Sequence, residues 1–267
     1  MTLTRETILK TLVDDLQPRP EVLAMWEAGA AAFDRVDDWS DIDLQIVVED
    51  DQVDATFTRL VERLTQLSPI RIQYDLPQPT WHGHAQSFIL LADTSPFLML
   101  DLCVIKRSSP DKFLTPEIHG QAKFLFDKAG ISNVPHLERG QFQEETARRL
   151  PTLRLMFDLF QILTLKEIHR QNWLEALAFY QGYTLRPLVE ALSYLYRPAH
   201  HHFHTRYVYY ELPPQVIARL ESLYFVDKAT LADRHAEAVA WFNEVFAQLD
   251  PQMLAASLPK SALPPQD

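Results

Sequence analysis

The sequence predicts an α+β fold in two parts: a mixed sheet with flanking helices over residues 1–130, and an all-helical domain over 142–250. Two patterns predict it. Up to Gly130, apolar runs of strand length alternate with helix-spaced segments and are punctuated by Pro, Gly and Asp. Beyond a loop rich in Asn, Pro, His and Gly, 131–141, apolar residues recur at helical spacing to about Leu249.

Taken in order, residues 4–16 read as a helix, with Thr4 as N-cap, a stripe of Ile8, Leu9, Leu12, Val13 and Leu16, and Pro18 and Pro20 after its end. Residues 21–32 hold a strand and a turn at Gly29, and 42–48 a second strand. Val53, Phe57, Leu60, Val61 and Leu64 mark a helix over 53–67, and strands are expected at 70–74, 87–91 and 98–105, which makes four or five in all. In the second part, helical periodicity runs through 150–169, 173–196 and 214–247, enough for four or five helices. Residues 251–267, proline-rich from 259, are expected to form a disordered tail.

Composition narrows the function classes. The 267 residues carry 25 Lys and Arg against 36 Asp and Glu, a net charge of −11, with no long basic stripe. Phosphate-backbone binding depends on clustered cations, so nucleic acid is a disfavoured partner. An acidic chain suits a small cationic acceptor better, although acidity also serves solubility. No run approaches the roughly 18 apolar residues of a membrane span. The first 17 residues read as an amphipathic helix rather than a signal peptide, so a cytoplasmic location without membrane contact is expected. The single cysteine, Cys103, lies in an apolar run as a buried, inert thiol.

The most informative segment is GAAAFDRVDDWSDIDLQIVVED, residues 29–50. Side chains two apart on a strand share a face, so Asp41 and Asp43 form a carboxylate pair while Ile42, Leu44, Ile46 and Val48 pack on the other side. Two adjacent like charges repel unless a cation lies between them, the arrangement of a divalent-metal phosphoryl-transfer site. The bland alternative is a pair of turn carboxylates ahead of a strand.

This segment resembles the DNA polymerase beta-like nucleotidyltransferase superfamily, whose signature is a Gly-Ser turn followed by Asp-x-Asp. Gly29 stands twelve residues before Asp41, and Trp-Ser-Asp-Ile-Asp-Leu at 39–44 matches the core of the signature. Two positions depart from it: Ala30 stands where the family has its phosphate-binding Ser, and Phe33 where it often has Arg. The resemblance covers about the first 110 residues, and the helical half matches the two-domain, antibiotic-modifying adenylyltransferases only in type. It implies a nucleotidyltransferase sheet, Mg²⁺ or Mn²⁺ held by Asp41, Asp43 and Asp101, and an NTP, ATP first, as substrate. It also implies that Asp101, on a neighbouring strand, takes the proton of the acceptor hydroxyl.

Asp101 stands in the apolar run LMLDLCVI, where a carboxylate costs several kcal/mol of desolvation unless paired or metal-bound. Its plainer role is a strand-end hydrogen-bond acceptor. The turn at Gly29 and Ala30 would present backbone N–H groups to phosphates, and the helix it opens would add a positive dipole end. Arg35 could supply a phosphate contact, or simply pair with Asp34, Asp37 or Asp38.

Residues 81–84, WHGH, read as a loop anchored by a buried Trp81, with ligand roles for His82 or His84 a lesser alternative. The histidine run 200–204 reads as a polar loop rather than a transition-metal site. Tyr180, Tyr183, Arg186, Tyr194, Tyr196, Arg197, Arg206 and Tyr207 either line an acceptor cleft or belong to a bundle core with snorkelling Arg. The expected activity is Mg-dependent transfer of an NMP to a hydroxyl of a small molecule. The alternatives are a catalytically impaired nucleotide-binding protein or a toxin-system protein on the same fold.

Overall fold

A computed structural model of the chain describes residues 2–134 and 136–258. The chain divides into two compact units, Met1–His136 and Leu137–Asp267.

The first unit is a six-stranded mixed sheet with helices. Helix α1 (Arg5–Leu16) begins where the Thr4 side chain accepts the Thr7 N–H, and buries Ile8, Leu9, Leu12 and Leu16. Strand β1 (Val22–Glu27), the single turn α2 (Gly29–Ala32), β2 (Ile42–Val48), α3 (Val53–Leu67), β3 (Ile70–Asp75), β4 (Ala85–Leu91), β5 (Leu100–Lys106), α4 (Pro116–His119) and β6 (Lys123–Asp127) follow. The spatial order is β3-β4-β5-β2-β1-β6. Among the described residues only β2 and β5, at the centre, run parallel; the other neighbours are antiparallel.

Burial follows the two-residue period. Ile42, Leu44, Ile46 and Val48 share one core with Leu100, Leu102, Val104 and the apolar stripes of α1 and α3. On the other face Val47, Cys103, Ile105, Ala24 and Trp26 form a smaller cluster with Leu114, Phe124, Ile131 and Val134. Burial pushes the Cys103 thiol far above its ordinary pKa, which leaves it inert as expected.

The sequence reading missed β6, so the sheet has six strands rather than four or five. The boundary between the two units falls inside the expected linker 131–141, but the segment is not a free loop. Asp127 accepts the N–H groups of Ala129, Ile131 and Ser132, Ile131 and Val134 pack against the sheet, and helix α5 already begins at Arg139.

The second unit is helical: α5 (Arg139–Arg170), α6 (Trp173–Phe179), a π-helical turn Tyr180–Leu185, α7 (Arg186–Tyr196), a 3₁₀ turn Pro198–Phe203, α8 (Val208–Glu211), α9 (Pro214–Tyr224), α10 (Leu231–Phe246) and α11 (Pro251–Ser257). The π turn has a local cause. Pro187 has no N–H to give the Tyr183 carbonyl, and the Gln161 side chain of α5 donates to that carbonyl instead, at 2.9 Å. The run read as helical over 214–247 is two helices. Between them the Asp227 carboxylate accepts the N–H groups of Ala229 and Thr230, an arrangement that competes with helix. The expected tail at 251–267 is corrected in part: Asp250 caps α11, which buries Leu254 and Ala255. The proline-rich end, 259–267, lies outside the described residues.

Candidate active site

Strand register brings two of the three expected carboxylates side by side. Asp43 on β2 pairs with Asp101 on β5 in the parallel ladder, so their side chains leave the same face of the sheet from adjacent central strands. Asp41 lies one residue before β2 and two from Asp43, on that same side by the strand period. This is the face opposite the core formed by Leu44 and Leu102.

Gly29 is required by Asp43. It has φ +53°, and a Cβ there would stand 1.8 Å from Asp43 Oδ2. The turn is therefore closed directly onto the carboxylate, and the Ala28 N–H donates to the Asp43 carbonyl at 2.8 Å. A second glycine locks the far end of α2: a Cβ at Gly120 would meet the Ala32 carbonyl oxygen at 2.5 Å, and the Gln121 N–H donates to that oxygen. The helix expected to open at Gly29 is a single turn of four residues, too short for a dipole argument, which leaves only its N–H groups. Ala30 is half-buried within it. Arg35 donates its backbone N–H to Ala30 O at 2.9 Å and sets its guanidinium over the Phe33 ring at 5.1 Å. Asp34 pairs with Lys123 instead.

Three residues that the sequence reading gave no role at the site complete this region. Arg5 of α1 donates to the Asp41 carbonyl at 2.6 Å and pairs with Glu27, tying the ends of three elements together. Gln86 of β4 donates from Nε2 to Asp101 Oδ1 at 2.6 Å. Gln45, two residues after Asp43, buries its Oε1 with no hydrogen-bond partner. Only a structure shows these contacts, because 36 residues separate Arg5 from Asp41 and 15 separate Gln86 from Asp101.

Electrostatics at Asp41 point the same way. Desolvation raises its pKa above the ordinary carboxylate value, although the Met99 N–H and the Arg5 guanidinium pull it down. A cation would remove that penalty. Among the described residues, no three His, Cys, Asp or Glu side chains are gathered closely enough to hold a metal ion as they stand. The three carboxylates offer oxygen donors only, which fits Mg²⁺ or Mn²⁺ rather than a thiolate- or imidazole-seeking metal. The unpartnered Gln45 oxygen and the Gly29 turn closed on Asp43 also fit a polar group at this end of the sheet.

The other candidates separate clearly. Trp81 is not a buried anchor: it is 89% exposed, and His84, 1% exposed, holds the loop against Phe113 instead. The 200–204 run is built into the helical unit, with His201 stacked on Tyr194 and His200 bonded to Glu211 at 3.0 Å. Tyr180 and Tyr194 are core residues, and Arg197 is buried against Glu211. A cavity of about 490 Å³ between α3, β3 and β4, and one of about 290 Å³ beside the start of α3, β4 and β5, are lined by none of Asp41, Asp43 and Asp101. No helix among the described residues is long and apolar enough to cross a membrane. Compared with known proteins, the chain matches no family model and no curated protein.

Proposed function

We propose that the first unit carries a Mg-dependent nucleotidyltransferase site that moves an NMP, AMP from ATP in the first instance, to a hydroxyl of a small-molecule acceptor. The observation that carries the reading is the Asp43–Asp101 pair on adjacent parallel strands, with the Gly29 turn closed onto Asp43. Asp41, Asp43 and Asp101 would hold Mg²⁺ or Mn²⁺. When bound, the ions supply charge neutralisation for the triphosphate.

The remaining steps belong to the chain. Backbone N–H groups of the turn at Gly29 and Ala30 face the phosphates, and Arg35 stands at the end of that turn. Asp101 takes the proton of the acceptor hydroxyl as its oxygen bonds to the α-phosphorus and the bond to pyrophosphate breaks. A second reading rests on Ala30. Without the hydroxyl of the family's Ser, the same fold could bind nucleotide without turnover, as in a decayed enzyme or a toxin-system protein.

Calorimetric titration of Mg-ATP into the wild type and Ala30→Ser tests both. A restored hydrogen bond to a charged oxygen is worth about 1.5 to 3 kcal/mol at best, so affinity should rise about tenfold or more. Turnover of labelled ATP with a panel of hydroxyl acceptors then separates enzyme from binder. No binding to either protein at millimolar nucleotide removes the reading.

A further inference from the structure

We infer that His82 and Gln86 form a hydrogen-bonded chain that positions Asp101 for metal binding, with each donor and acceptor role set by the one before it. The inference rests on the metal-site reading of Asp101 and extends it to residues outside the carboxylate pair.

The polarity of the chain follows from its geometry. Gln86 reaches Asp101 Oδ1 at 2.6 Å, and a carboxylate oxygen accepts, so the amide nitrogen must face it; the reverse orientation would set two acceptors together. The amide oxygen of Gln86 is thereby turned to His82, whose Nε2 lies 3.1 Å away and must donate. On the other side of the ring, the His84 backbone N–H points at His82 Nδ1 at 3.2 Å, so that nitrogen accepts. Thr80, whose hydroxyl donates to the His84 carbonyl at 2.6 Å, offers Nδ1 only an acceptor at 3.4 Å, and a proton on Nδ1 would meet the His84 N–H head-on. The tautomer with its proton on Nε2 satisfies the contacts to Gln86 and to the His84 N–H, and leaves the longer Thr80 Oγ1–Nδ1 approach of 3.4 Å without a proton.

The loop is built to hold that ring. His84 is buried, stands 5.2 Å from the His82 ring and meets Phe113 edge-on at 5.2 Å. Trp81 and Phe113 flank His82 at 5.0 and 5.9 Å. Strand β4 then delivers Gln86 beside β5, where its register partner is Cys103, two residues along the same face from Asp101. Groups that orient a metal ligand from behind typically change metal affinity 10- to 100-fold when removed. His82 and Gln86 are positioning residues in this sense, since neither is expected to touch the reacting atoms.

The test uses the full chain and Mn²⁺ as probe. Mn²⁺ affinity, from the metal-dependent rise in Tm and from direct titration, should fall 10- to 100-fold in Gln86→Leu and by less in His82→Phe, which keeps an aromatic ring between Trp81 and Phe113. In the Gln86→Leu background, His82→Phe should have no further effect, because the link it acts through is gone. In metal-free protein, ¹⁵N spectra should show His82 as the Nε2–H tautomer in the wild type and lose that preference in Gln86→Leu. Should Gln86→Leu fail to fold, His82→Phe and the wild-type spectrum carry the same two readouts. Wild-type binding matched by both variants, additive effects in the double variant, or the opposite tautomer would overturn the chain and leave the metal reading intact. No Mn²⁺ binding by the wild type at millimolar ion would remove both.

Discussion

The Gln161 and arginine networks of the helical unit and the carboxylate end of the sheet both bury polar groups, but they satisfy them differently. In the helical unit, Gln161 uses its full capacity: it donates to the Phe157 and Tyr183 carbonyls and accepts from Thr184 and His235. Arg149 meets Glu190 through two bonds of 2.6 and 2.7 Å, and Arg197 is bonded to Ser193, Glu211 and two carbonyls. At the head of β2, by contrast, Asp41 keeps a raised pKa despite two favourable neighbours, Asp43 and Asp101 stand beside each other, and Gln45 buries an oxygen with no partner. Polar groups that satisfy one another hold a fold together. Carboxylates set on adjacent strands are a place where a bound cation would add stability.

The largest test of the contrast is Gln161→Leu. It strands the Tyr183 carbonyl, the Thr184 hydroxyl and the His235 N–H, at about 1 to 3 kcal/mol each and less than additively, so a loss of about 3 to 5 kcal/mol is expected in denaturant unfolding. A loss under about 1 kcal/mol would mean that the network does not bear on stability.

Gly29→Ala comes next. A left-handed backbone at a non-glycine residue costs about 1 to 2 kcal/mol, and the clash with Asp43 adds about 1 to 3. In Asp43→Ala the atoms at 1.8 and 2.5 Å are gone and a Cβ contact of 3.1 Å remains. The same Gly29→Ala change should therefore cost markedly less in that background. Equal losses in the two backgrounds would show that the turn is not seated on the carboxylate.

Much of this contrast was legible in the sequence. The two-residue period places Asp41 and Asp43 on one side and Ile42 and Leu44 on the other, and the spacing to Asp41 marks Gly29, whose steric reason lies in the packing against Asp43. What was hidden depended on long-range pairing. Strand β6 has five residues and pairs with β1 about a hundred residues earlier, a contact that local propensity cannot express. Gln86 is an ordinary strand residue until the β4–β5 register sets it beside Asp101. Trp81 misled because its size suggested an anchor, whereas the loop buries His84.

The pH dependence of the two regions should have opposite signs. In the helical unit, burial lowers the pKa of His235 and His201, so the unfolded chain binds their protons first. Stability is complete above about pH 7 and is lost as pH falls through the ordinary histidine value near 6.5, by up to ~1.4 kcal/mol per histidine per pH unit. His235→Gln can still donate to Gln161 but cannot charge, and should flatten the slope between pH 7 and 5. An unchanged slope would assign the acid loss to other groups.

The smallest effect belongs to Asp41, where the sign reverses. Its pKa is raised in the folded protein, so the folded state holds the proton more tightly and stability falls as pH rises from about 4 through the folded pKa. Metal-free Asp41→Asn should therefore be slightly more stable than the wild type at pH 7. Asp41 is only partly buried, so solvent screening holds the gain to ~0.5 kcal/mol, about 1 to 2 °C in Tm. The gain should shrink as pH falls and vanish below the ordinary carboxylate value, where folded and unfolded chains both take up the proton. In the proposed site it should invert at pH 7 with saturating Mg²⁺, because only the wild type would keep all three carboxylates. A variant less stable than the wild type without metal would show that Asp41 is held by its Met99 and Arg5 contacts as an ordinary structural carboxylate, and that the strain at the head of β2 is not available to a cation.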